Sequence, residues 1–338
     1  MLIVMNASAG KSEIDHVIQV IESLKFRAHV LPGANRTAIG VTGNQGAVDL
    51  SHFENLPGVA EAIRVTKPYK LITLDLRPER TVVDVGGAKI GNGSLAIIAG
   101  PCSVESREQV FDVAKSVKAS GAQFFRGGAF KPRTSPYAFS GLGEEALKLL
   151  AEIREQFGLK IVTEALDEGT VDLVEKYADM IQIGARNMQN FTLLRRVGRS
   201  KLPVLLKRGM AATLEEWLLA AEYVMSEGNY QIVLCERGVR TFAQHTRNTL
   251  DLAAVPAVRR ISHLPVIVDA AHGTGRSYMV GPLSRAGVAV GADGLMVEVH
   301  AHPDEALSDG AQALTLDEYE KMVHEVNAIH DLISRNGA

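Results

Sequence analysis

The chain has 338 residues, 46% hydrophobic and 22% charged, which is a globular composition; the length suits about two domains or one barrel with an attachment. A net charge of -3, from 36 basic and 39 acidic residues, argues against a nucleic-acid binder, and only two cysteines, Cys102 and Cys235, argue against a disulfide scaffold. No apolar run approaches the ~18 residues of a membrane span, and the opening MLIVMNASAGKSEIDH lacks the basic start and long apolar stretch of a signal peptide, so a cytoplasmic location is expected.

Residues 1–6 read as a short apolar strand. Residues 12–24 set Ile14, Val17, Ile18, Ile21 and Leu24 at helical spacing. Residues 26–31 and 36–42 read as a strand pair joined through Pro32-Gly33, residues 48–56 as a second helix and residues 59–65 as a last strand. The order βαββαβ over residues 1–66 predicts a small ferredoxin-like α+β unit. Residues 67–93 are a connector broken by Pro68 and Pro78, with a hairpin expected around Gly86-Gly87.

From residue 94 to 338 the pattern becomes regular. Strand-like runs occupy 95–99, 123–126, 161–164, 180–183, 204–207, 232–236, 266–269 and 295–299. Helical patterns at 108–119, 144–157, 167–177, 214–225, 280–290 and 316–333 lie between most of them. Eight strands alternating with helices predict a (β/α)8 TIM barrel, an α/β fold. An open doubly wound sheet is disfavoured, because no glycine-rich dinucleotide fingerprint follows the first strand.

Active-site groups of such a barrel stand at the C-terminal ends of the strands. In chain order those ends carry Cys102; Arg126, Lys131 and Arg133; Glu164; Arg186; Lys207 and Arg208; Glu236 and Arg237; Asp269 and His272; Glu298 and His300. The seven basic residues among them are expected to converge on one face. One phosphate needs two or three such groups, so seven suggest two phosphorylated substrates or one bisphosphate, with some of the cations pairing instead with Glu164, Glu236 or Asp269. Cys102, His272, Glu298 and Asp309 are possible metal ligands, a mixed S, N and O set suited to Mn, Fe, Co or Zn. Taken alone, Cys102 is more often a buried small hydrophobe than a ligand, and His272 is equally readable as a general base.

GPCS (100–103), RGGAFKPRTSPY (126–137), QIGARNMQN (182–190), LLKRG (205–209), LCERG (234–238), VEVH (297–300) and ALSDGAQ (306–312) together resemble the 3-deoxy-D-arabino-heptulosonate 7-phosphate (DAHP) synthases. The likeness is to the microbial subgroup related to the octulosonate 8-phosphate synthases, and it runs from about residue 99 to residue 314. KPRTSPY is the most specific element, since the octulosonate enzymes, which take arabinose 5-phosphate, have a KANRS-like run there. One departure is Asp269-Ala270-Ala271-His272, where the family usually has D-P-S-H; Ala301-His302-Pro303 also differs.

The resemblance implies a reaction and roles. Phosphoenolpyruvate would condense with erythrose 4-phosphate and water, as the first step of the shikimate pathway. Cys102, His272, Glu298 and Asp309 match the family's ligands for a divalent ion (Mn, Fe, Co, Zn or Cd). Arg126, Lys131, Arg186, Lys207 and Arg237 match its phosphoenolpyruvate contacts, and Arg133 and Thr134 its aldose-phosphate contacts. Lys131 is the expected proton donor, and Glu164 or Asp269 would orient the attacking water. The small unit resembles amino-acid-sensing domains, so tyrosine or phenylalanine is an expected effector, with His29, Pro32, Gly33 and Arg36 as first contacts. A homotetramer is implied. The rival readings are the octulosonate reaction and a catalytically silent ligand-binding barrel.

Overall fold

The computed structural model describes residues 1–33, 36–44, 48–64, 68–132, 135 and 137–336. Strand β1 (Leu2–Met5) lies between β3 (Thr37–Thr42) and β4 (Val59–Ile63), and β2 (Arg27–Pro32) pairs with the outer side of β3. All pairings are antiparallel, in the order β2-β3-β1-β4. Helix α1 (Lys11–Ser23) covers one face and buries Val17 and Ile21 against Ile3, Met5, Ile39 and Val41.

The second helix expected at 48–56 is a single 3-10 turn, Leu50–His52. Asp49 caps it by accepting from the Ser51 N–H at 3.1 Å. One turn suffices to drive Phe53 into the core, and Pro57-Gly58, with Gly58 at φ 80°, then redirects the chain into β4.

The expected hairpin forms from β5 (Val83–Val85) and β6 (Ala88–Ile90), turning at Gly86 and Gly87 with φ of 59° and 97°. Its Val83, Val85 and Ile90 share a core with Ala96, Phe124, Met180, Val233 and Ile267, residues that point into the barrel. Gly86 lies against Lys160, the first residue of its barrel strand, so the hairpin plugs the end where the strands begin.

Eight parallel strands close the barrel: β7 (Ala96–Gly100), β8 (Phe124–Arg126), β9 (Lys160–Glu164), β10 (Met180–Ile183), β11 (Val204–Lys207), β12 (Ile232–Glu236), β13 (Val266–Asp269) and β14 (Gly294–Glu298), with β14 pairing back to β7. Around them run α2 (Arg107–Ala119), α3 (Glu144–Phe157), α4 (Glu168–Tyr177), α5 (Phe191–Gly198), α6 (Leu214–Ser226), α7 (Ala254–Arg259), α8 (Ala270–Thr274), α9 (Ser277–Ala289) and α10 (Leu316–Asn336). Helices α5, α7 and α8 were not expected from the sequence. Among the described residues, no helix is long and apolar enough to cross a membrane.

The small sheet packs onto the barrel, with Leu2, Leu31 and Ala38 joining a core that includes Leu71, Ile72 and Leu76. Polar groups fasten the seam. Glu222 on α6 accepts from the backbone N–H groups of Lys70, Leu71 and Ile72 at 2.8, 2.9 and 3.1 Å. His29 bonds Tyr230 Oη through Nδ1 (2.9 Å) and Thr42 Oγ1 through Nε2 (2.8 Å). His263 bonds Thr81 Oγ1 and the Leu71 carbonyl oxygen.

Candidate active site

The ends of the barrel strands surround a cavity of about 290 Å³, lined by Lys131, Glu164, Arg186, Lys207, Arg237, Arg247, His272 and Asp309, together with Pro132, Ser135, Ala138, Gly184 and Ala185. Each strand delivers its polar residue where its apolar run stops. Gly184, after β10, makes room for Glu164: a Cβ there would lie 2.1 Å from Glu164 Oε1. The Glu164 carboxylate accepts from Gln182 Nε2 at 2.9 Å.

The seven expected cations divide into groups. Lys207 is buried and paired to Asp269 (Nζ to Oδ2, 2.7 Å). Arg126 stands behind the cavity wall, donating to the Pro101 carbonyl oxygen (2.6 Å) and to Glu298 Oε1 (3.0 Å). Arg208 does not reach the cavity, which corrects the expectation that it joins the convergent set. It is locked by Glu236 (2.9 Å) and Asp251 (2.8 Å), with its guanidinium over the Trp217 ring. Neighbours in an extended chain point to opposite sides, so Lys207 takes the interior and Arg208 is turned away from it.

Arg186 and Arg237 are different. Among the described residues neither forms an ion pair, and Arg237, 5% exposed, bonds only the Gly238 carbonyl oxygen at 3.4 Å. Burial pulls the Arg237 guanidinium below its usual range. Two such cations in one cavity make a receptor for anionic groups. Arg133 and Thr134 lie outside the described residues.

The sulfur and carboxylates gather beside the same cavity. Cys102, Glu298 and Asp309 each bring a ligand atom within 4.8 Å of the others. Cys102 Sγ donates to Asp309 Oδ2 at 3.5 Å, and Lys131 Nζ donates to Cys102 Sγ (2.9 Å) and to its carbonyl oxygen (3.0 Å). His272 reaches the cluster through Nε2, 3.3 Å from Glu298 Oε1. Its Nδ1 stands 2.8 Å from Asp269 Oδ2. Burial and the neighbouring Glu298 push the Cys102 thiol up to about 11.

A thiol, an imidazole and two carboxylates, buried or half-buried and drawn from the C-terminal ends of β7, β13 and β14 and the segments after them, fit a borderline divalent cation. Asp309 adopts the left-handed region (φ 51°), one of only two described non-glycine residues with positive φ. The Asp269-Ala270-Ala271-His272 segment forms the last residue of β13 and the start of α8. Asp269 caps α8 by accepting from the His272 N–H (3.0 Å), and both alanines are buried.

Sequence reasoning missed Arg247. It lies in the loop after β12 and reaches across to Asp309 Oδ1 (3.3 Å) and Gln312 Oε1 (3.2 Å). No strand end marks it, and only its sequence distance from other loops being bridged in space makes it part of the cavity. A second cavity, of about 350 Å³, lies between the small sheet and residues 75–79, and Gly33 and Arg36 line it. His29 and Pro32 do not line it; the His29 ring bonds Tyr230 Oη on the barrel side and Thr42 Oγ1 within the small sheet.

The DAHP synthetase I family model matches residues 74–335, and the DAHP synthase ferredoxin-like domain model matches residues 1–67. A phospho-2-dehydro-3-deoxyheptonate aldolase of Thermotoga maritima is 49% identical over 333 residues, 98% of each chain. A 2-dehydro-3-deoxyphosphooctonate aldolase of Syntrophotalea carbinolica is 35% identical over 264 residues, 73% of this chain and 94% of its own. The crystal structure of the Thermotoga maritima DAHP synthase matches with a TM-score of 0.79 at 48% identity, covering 98% of both chains. A truncated form of that organism's 3-deoxy-D-arabino-heptulosonate 7-phosphate synthase matches with a TM-score of 0.74 at 49% identity, over 79% of this chain and 98% of that one.

Proposed function

The chain belongs to the DAHP synthetase I family, and from that premise we propose that it joins phosphoenolpyruvate to erythrose 4-phosphate and water, yielding DAHP and inorganic phosphate. The observation that carries this reading is the pair of unpaired guanidiniums, Arg186 and Arg237, facing one cavity with Lys131 and Lys207 beside a thiol–carboxylate cluster.

Arg186 and Arg237 would take the phosphate and carboxylate of phosphoenolpyruvate, and Lys207, fixed by Asp269, would add its charge from the floor. Held this way, carbon 3 would be presented to the aldehyde. As the carbon–carbon bond forms, Lys131 Nζ would give its proton to the former aldehyde oxygen. Glu164 lines the cavity, whereas Asp269 is fully buried and tied to Lys207, so Glu164 is the better group to orient water for addition at carbon 2. The resulting hemiketal phosphate then releases inorganic phosphate. A divalent ion on Cys102, His272, Glu298 and Asp309 would supply Lewis acidity at the aldehyde oxygen. Arg133 and Thr134 remain the proposed aldose-phosphate contacts from KPRTSPY.

In this reading residues 94–338 are the catalytic barrel, residues 67–93 the connector and residues 1–66 a regulatory unit. Tyrosine or phenylalanine would act there, with the cavity beside Gly33 and Arg36 as its first contact. The family resemblance further supports a cytoplasmic homotetramer.

The test is the loss of phosphoenolpyruvate absorbance on adding erythrose 4-phosphate, with and without a chelator, and with arabinose 5-phosphate as the control aldose. Chelator-sensitive consumption with the four-carbon sugar alone is expected. Preference for arabinose 5-phosphate would transfer the chain to the octulosonate reaction. No turnover by folded, metal-loaded protein would favour a silent barrel.

A further inference from the structure

Gln312 follows Asp309 on the loop after β14 and is 2% exposed. Both ends of its amide meet a charged group. Nε2 donates to Glu298 Oε2 at 2.6 Å, and Oε1 accepts from Arg247 Nη1 at 3.2 Å. The amide has only one workable orientation, because a flip would turn NH2 toward a guanidinium and oxygen toward a carboxylate. Its backbone is equally constrained: the Gln312 N–H donates to the Asp309 carbonyl oxygen (3.1 Å), and two residues later the Leu314 N–H donates to the Glu298 carbonyl oxygen (2.9 Å).

The other oxygen of Glu298, Oε1, accepts from Arg126 Nη1 at 3.0 Å and lies 3.3 Å from His272 Nε2. The carboxylate is thus held from both sides, and turning it would break both hydrogen bonds. Arg247 binds Asp309 Oδ1 with the same Nη1 that holds Gln312. One side chain from the loop after β12 therefore touches one carboxylate donor directly and reaches the other through Gln312.

We infer that Gln312 is a positioning residue for the metal centre, fixing the plane of the Glu298 carboxylate for a divalent cation and coupling it to Arg247. This rests on the metal-centre reading given above. Groups that orient a metal ligand typically carry roughly 10–100-fold in metal affinity. Removing the Gln312 donor would leave Glu298 Oε2 buried without a partner and the carboxylate free to turn.

The experiment uses the full chain, stripped of metal and titrated with Mn(II) against a fluorescent chelator. Gln312→Met keeps the volume and removes both donor and acceptor. Gln312→Asn keeps a buried amide but is one methylene too short to reach Glu298. Both variants should bind Mn(II) roughly 10–100-fold more weakly than the parent. Phosphoenolpyruvate affinity of the stripped proteins should stay within about twofold, which a general loosening of the barrel mouth would not allow. Mn(II) affinity within about twofold of the parent in both variants would overturn the inference, as would a parallel loss of phosphoenolpyruvate affinity. A parent that binds no Mn(II) would instead remove the metal-centre reading beneath it.

Discussion

Acid should loosen the seam between the connector and the barrel, and His263 sets the scale. The ring is 1% exposed, with Nε2 against the Leu71 carbonyl oxygen (2.8 Å) and Nδ1 against Thr81 Oγ1 (2.7 Å). That pattern suits a neutral ring, with Nε2–H donating and Nδ1 accepting. Burial, reinforced by Arg77 and Arg80, lowers the pKa from 6.5 to about 4. Because the folded value lies below the unfolded one, the contribution to stability is complete above 6.5 and is lost as pH falls toward 4. Between about pH 7.5 and pH 5 the linkage amounts to about 2 kcal/mol. For a chain of 338 residues that is roughly 3 °C in melting midpoint. Carboxylates also titrate in this window, so the reference is His263→Gln, which cannot charge. Differential scanning fluorimetry of both proteins across the range should show the parent losing about 2 kcal/mol more than the variant on acidification. Parallel pH profiles would refute the reasoning.

Two further substitutions address the cavity. Gly184→Ala would push a Cβ to 2.1 Å from Glu164 Oε1, so Glu164 must move; steady-state kinetics should show kcat down by roughly 100-fold, with a smaller change in KM. Lys207→Met would leave the Asp269 carboxylate, fully buried and held well below the usual carboxylate range by His272 and Lys207, without its closest cation; urea unfolding should show a loss of about 3–5 kcal/mol, and unchanged stability would contradict the pairing.

The barrel was legible because its strands are buried on both faces and read as unbroken apolar runs. The predicted 180–183, 204–207, 232–236 and 266–269 coincide with β10, β11, β12 and β13. Helix α5 was missed because it has only eight residues, two of them adjacent arginines, and its start depends on a cap, Asn190 Oδ1 accepting from the Leu193 N–H. The small unit's second helix was over-read from four apolar residues that one turn and a buried Phe53 accommodate. Within the cavity, strand-end position identified Glu164, Arg186, Lys207 and Arg237. It could not identify Arg247 or Gln312, because their importance comes from one loop crossing to another. Nor could it separate Arg208 from Lys207, since the side a residue faces depends on the register of the closed sheet.

The hairpin that plugs the barrel has a bearing on the order of assembly. Its two strands are eight residues from end to end and contact each other locally, so it can form on the microsecond scale of isolated hairpins. The hollow it fills does not exist until β14 meets β7, strands nearly two hundred residues apart in sequence. Docking must therefore wait for ring closure, one of the most non-local pairings in the chain. The backbone amides of residues 83–90 consequently act as reporters: their protection from solvent exchange would be acquired only when the ring shuts, and lost as soon as it opens.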